Sequence, residues 1–178
     1  MIMEGMYSAS AKQLAMRDTV KLYLGSNVSP YLVIDSAKSL IDSVTYSGTF
    51  EFNNAPTGQY YLVTKHRNTI ETWSRPSGEI LVNNGSTYGY NFTSSASQAF
   101  GNNMTQVDVS PSRFGVYSGD VNQDGAVEGS DLSRIDNDAF NFITGYVATD
   151  LTGDNVVDAI DAAICDNNAF NLVVVSRP

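Results

Sequence analysis

The chain is poor in the side chains on which most enzymes and metal proteins depend. It has one histidine, His66, and one cysteine, Cys165. That leaves little for a zinc cluster or a Ser–His or Cys–His catalytic pair, and nothing for an internal disulfide. Bases are scarce too, with 10 Lys and Arg against 19 Asp and Glu, a net charge of −9 and a pI near 4.3. Such a surface repels phosphate backbones, which argues against nucleic acid, and suits cations or a basic partner. No apolar run approaches the ~20 residues of a membrane span. The opening MIMEGMYSAS carries Glu4 early and no long apolar stretch, so it does not read as a signal peptide. An exported protein cut from a longer precursor is still the expected setting. At 178 residues and 42% hydrophobic, the chain suits one large domain or two small ones.

What is present is unevenly placed. Up to Gly119 eight acids balance eight bases, whereas from Asp120 onward eleven acids face only Arg134 and Arg177. The whole net charge therefore lies in the last third, and electrostatics draws a domain boundary there. Hydrophobic periodicity changes at the same place. TVKLYLG, SPYLVIDSA, YSGTFEFNN, GQYYLVTKH, GEILVNN and STYGYNFTS are short, rich in Val, Tyr, Phe and Thr, and separated by Gly, Asn, Pro and Ser. They read as strands of an antiparallel sandwich. In SDLSRIDNDAFNFI, by contrast, Leu132, Ile135, Ala139 and Phe142 recur at helical spacing. The expected fold class is thus mixed: an all-β sandwich over 1–112, a linker over 113–118, and a small all-α domain over 119–178.

The acidic third repeats itself at an offset of 30 residues, DVNQDGAVEGSDLSRIDNDAFNFI lying over DLTGDNVVDAIDAAICDNNAFNLV. Each copy has the spacing of a 12-residue calcium loop, with oxygen donors at positions 1, 3, 5, 7, 9 and 12. The first copy places Asp120, Asn122, Asp124, Ala126 through its carbonyl, Glu128 and Asp131 at those positions. The second places Asp150, Thr152, Asp154, Val156 through its carbonyl, Asp158 and Asp161 there. Asn155 stands where the first loop has Gly125 and tolerates left-handed geometry. Two bound Ca2+ ions are the expectation, with Val127 and Val157 forming an apolar tether between the loops.

Two such loops, each followed by one helix and preceded by none, resemble type I dockerin modules. The resemblance covers roughly Ser118 to Arg177 and implies a calcium-dependent docking tag of a secreted polysaccharide-degrading protein, bound by a cohesin-type partner. The dockerin recognition positions hold Gly129 and Ser130 in one copy and Ala159 and Ile160 in the other, not the usual Ser–Thr pair. Partner-binding candidates are Ser130, Arg134, Asp136, Asn137, Ile160, Asp166 and Asn167. Ala139, Phe140, Ala169 and Phe170 read as packing residues. In the N-terminal part, TFEFNNAPTGQYYLV resembles the hairpin of transthyretin-like and carboxypeptidase-regulatory-like domains. There Phe50, Phe52, Tyr60 and Leu62 point into the core, and the domain would serve as an X-module-like companion.

Nothing reads as catalytic: no nucleophile elbow, P-loop, dinucleotide fingerprint or zinc motif is present. His66 reads as a surface or edge residue, and Cys165 as a small buried hydrophobe. Two further readings stay open. One is a structural Ca2+-stabilised module or surface anchor with no cohesin partner. The other is a calcium-stabilised carbohydrate-binding module using Trp73, Tyr88 and Tyr90.

Overall fold

The computed structural model describes residues 1–178. Its centre is a five-stranded antiparallel sheet of β3 (Asp18–Ser26), β4 (Val33–Ile41), β5 (Gly58–His66), β6 (Thr69–Trp73) and β7 (Glu79–Leu81). The order is β4-β3-β5-β6, with β7 pairing the start of β5. Two ribbons flank it: β1 (Tyr7–Ser8) with β2 (Gln13–Leu14), and β8 (Thr105–Val109) with β9 (Ser112–Gly115). The result is a mostly β, sandwich-like body.

Side-chain alternation explains which strands lie inside. In β3, Val20, Leu22 and Leu24 are buried while Lys21 between them is exposed. β5 is buried on both faces, as its near-continuous apolar run requires. Tyr60 and Leu62 enter the main core with β3, Ile2, Met3, Phe92 and Val116. Tyr61 and Val63 join Trp73 on the opposite face, where Tyr23, Tyr31 and Phe100 cover them. Burying each such side chain contributes about 1.5–3 kcal/mol. Phe50 and Phe52 also pack against the main core, as the hairpin resemblance implies. The expected strands at 46–54 and 86–94 do not form. Residues 48–53 make no backbone–backbone hydrogen bonds. The chain there is held by side chains instead: Asp42 Oδ1 accepts from Val44 N and Thr45 N, and Asp35 Oδ2 from Asn54 N.

The fold class stated above needs correction. The protein is mostly β, and its only α-helices are α1 (Gly129–Phe140) and α2 (Ala159–Phe170), with 12 residues each. An all-α domain of Ca2+ loop–helix repeats is not what the last third forms. Extended bridges join Ala126 to Val174 and Thr144 to Val156. Its apolar cluster includes Ile70 of β6 alongside Val121, Val127, Ile135, Leu151, Val157, Cys165 and Val173. Hydrogen bonds also tie it to the sheet. Arg67, in the β5–β6 turn, donates to the carbonyls of Val147 and Asp150, and Asn68 Nδ2 donates to Asp150 O at 2.8 Å. Asn168 of α2 donates to Glu4 Oε2 at 2.6 Å and to Ser118 O at 2.8 Å.

Candidate interaction site

The two helices start in the same way, for a reason visible in the acids. Glu128 and Asp158 sit at the N-caps in extended conformation, and Asp131 and Asp161 complete reciprocal capping boxes. Asp131 Oδ1 accepts from Val121 N at 2.9 Å and Asn122 N at 3.0 Å, and its Oδ2 from Glu128 N at 3.1 Å. Asp161 repeats this on Leu151 N, Thr152 N and Asp158 N at 2.8–2.9 Å. At the loop starts, Asp120 accepts from Asp124 N and Gly125 N, and Asp150 from Gly153 N and Asn155 N. Asp124 and Asp154 accept from Ala126 N and Val156 N. Gly125 and Asn155 both have positive φ, at 96° and 70°.

This arrangement overturns the expectation of two Ca2+ ions. No group of three or more His, Cys, Asp or Glu side chains is placed so that it could hold a metal ion. The carboxylates of Asp120, Asp131, Asp150 and Asp161 are engaged instead by the loops' own N–H groups. Burial and the nearby Asp131 carboxylate push Asp120 up to about 6. Burial likewise raises Asp131 and Asp161, partly offset by the N–H groups they accept. Val127 and Val157 share one apolar cluster, yet their backbones do not pair with each other. Val127 N donates to Val173 O, beyond α2, and Val157 N to Ile143 O, beyond α1.

The partner-binding candidates Ser130, Arg134, Asp136, Asn137, Ile160, Asp166 and Asn167 are all exposed. Arg134 and Asn137 border a cavity of about 350 Å3 between α1 and residues 147–149. Phe140 and Phe170 do not pack as expected. Phe140 and Phe170, the last residues of the helices, are 81% and 86% exposed. Phe142 and Leu172, two residues on, are 87% and 80% exposed and take positive φ, at 53° and 56°. A left-handed residue just past a helix is usually glycine, since a Cβ there costs about 1 kcal/mol. Both copies keep a large apolar side chain at that position. The repeated AFN(F/L) text carried this pattern, but helical periodicity alone assigned Phe142 to the core.

Other single-residue readings also change. His66 is buried, its Nε2 3.0 Å from Asp18 Oδ2 but without hydrogen-bond geometry, so the contact is ionic when the imidazole is protonated. Trp73 is buried edge-on against Tyr61 and Tyr31, and its Nε1 donates to Glu71. It forms no platform with Tyr88 and Tyr90, whose hydroxyls donate to Glu79 and to Gln98 O. Cys165 is fully buried.

No protein-family model and no curated protein matches the chain. Among solved structures it is similar to an N-terminal interface mutant of a type II cohesin–X-dockerin complex from Acetivibrio cellulolyticus. That match has 15% identity and a TM-score of 0.47, covering 85% of this chain and 80% of the other. A C-terminal interface mutant of that complex matches at 16% identity and TM-score 0.45, covering 91% and 86%. These values describe general architecture only. No helix is long and apolar enough to cross a membrane.

Proposed function

We propose that the chain is a non-catalytic protein–protein interaction module, and that the ends of α1 and α2 are its docking surface. One observation carries this reading: Phe140, Phe142, Phe170 and Leu172 stand 80–87% exposed in matching places on the two helices. Scattered exposed apolar residues are ordinary, but large apolar side chains clustered in matching places, with Phe142 and Leu172 held at left-handed positions that glycine would fill at lower cost, suit interface anchors. Ser130, Arg134, Asp136, Asn137, Ile160, Asp166 and Asn167 supply the polar and apolar surroundings along the same helices. The partner we propose is a cohesin-type module outside the cell or at its surface, with the β body as an X-module-like companion. The boundary at 113–118 is proposed as the division between the two. The buried position of Trp73 speaks against the carbohydrate platform. Replacing the four anchors together by Ser tests the reading. Binding to a cohesin-type partner is expected to be lost while the circular-dichroism spectrum is kept, and unchanged binding would refute it.

A further inference from the structure

The main core is open on one side. Between the extended segments 45–56 and 80–93 lies a cleft of about 1020 Å3, at the upper end of the roughly 300–1,000 Å3 typical of ligand sites. The part-exposed rings of Phe50, Phe52 and Tyr90 line it, over the buried core residues Leu22, Leu24 and Phe92. Arg113 of β9 also lines it, with its guanidinium carbon 4.8 Å from the centre of the Tyr46 ring.

Arg113 is unlike the other cations of this chain. Lys12, Arg17, Lys65, Arg67, Arg75 and Arg177 all have carboxylate partners within 4.0 Å. Of the four without one, Lys21, Lys38 and Arg134 are out in solvent, whereas Arg113 is half-buried. Its Nε is buried with no acceptor. A buried donor left unmet is costly, and a permanently charged one more so. Glu51, the one acid in the lining, is exposed at the rim and beyond ion-pair reach of Arg113.

We propose that this cleft binds an apolar molecule ending in a single carboxylate. The carboxylate accepts from the guanidinium of Arg113, which has no counter-ion of its own, and the tail lies against the rings of Phe50, Phe52 and Tyr90. A neutral head group would leave the Arg113 charge without a counter-ion, and an apolar tail finds its contacts on the aromatic rings within a lining that is otherwise mixed. This site shares no residue with the helix ends and does not depend on their role.

Calorimetric titration of the full chain with decanoate, beside decan-1-ol, tests it. Saturable one-to-one binding of decanoate is expected, with the alcohol weaker by about ten-fold or more. Arg113→Gln should bring decanoate down to the level of the alcohol. Ile80→Trp, at a position 66% exposed on the rim and so harmless to folding, should weaken both by narrowing the mouth. Absence of saturable decanoate binding to the wild type would overturn the proposal. So would equal binding of acid and alcohol, or an Arg113→Gln variant that binds decanoate undiminished.

Discussion

Asp18 shows how much one buried carboxylate can organise. It sits at the start of β3 with its side chain fully buried, and three elements converge on it. His66 ends β5, Arg67 Nε donates to it at 2.9 Å from the β5–β6 turn, and the Tyr146 hydroxyl donates from the segment before α2. Burial alone would raise its pKa, but these partners outweigh burial and hold it well below the ordinary carboxylate range. Asp108 is held low in the same way by Lys12 at 2.6 Å and Tyr7 at 2.7 Å. A carboxylate lowered on folding stabilises above its unfolded pKa, near about 3.9, and loses that contribution as pH falls through the folded value. The loss of these two contributions should make the melting temperature drop steeply below about pH 4, while Asp120, raised on folding to about 6, works with the opposite sign and gives a smaller gain as pH falls from about 6 to 4. Asp18→Ala should cost about 3 kcal/mol at pH 7 in urea unfolding and flatten that acid limb, because buried Arg67 would lose its nearest carboxylate and keep only Asp150 at 3.7 Å. An acid limb as steep in Asp18→Ala as in wild type would remove Asp18 from this role. None of this was legible beforehand. His66 lies between two bases in the sequence, which suggests a surface, and only the pairing of β5 with β3 brings it to Asp18.

At the scale of the element, the helices are set by their caps and finished by their anchors. Asp161→Ala removes the acceptor of three N–H groups at a fully buried site, and a loss of about 2 kcal/mol is expected in chemical denaturation. The anchors should behave in the opposite way. Glycine is at ease at positive φ, and Phe142 and Leu172 bury little. Phe142→Gly and Leu172→Gly should therefore leave stability unchanged or raise it by up to about 1 kcal/mol, while weakening partner binding. A joint loss of stability and binding would mean these residues are structural. The 30-residue offset and the helical spacing of Leu132 and Ile135 made both helices legible. The direction of Phe140 and Phe142 was not, because a 3.6-residue period ends with the helix, and past the left-handed residue it is Ile143 and Val173, not Phe142 and Leu172, that enter the core. The loop acids were legible as a pattern but not in their use. Spacing says which oxygens share a loop, and not that backbone N–H groups take them up.

At the scale of the whole molecule, composition divides what packing joins. The charge step at residue 120 is real, yet Ile70 lies in the apolar cluster of the last third, and Arg67, Asn68 and Glu4 reach across to it. Calorimetry should show one unfolding transition for the wild type. Arg67→Ala should lower it or split it in two, and two transitions already in the wild type would show that the joint carries no cooperativity. Composition gave the β character of the first two thirds, since Val, Tyr and Phe at short spacing admit little else. It could not show which extended segments would find hydrogen-bond partners: 58–66 became the central strand, while 48–53 packs its phenylalanines without pairing. Docking through the helix ends is the central claim, and affinity for a panel of cohesin-type modules tests it most directly, with wild type compared to a variant carrying Ser at 140, 142, 170 and 172. A partner is expected for the wild type, with a loss of about 100-fold or more in the variant. Binding at equal strength by both proteins, or by neither, would contradict it.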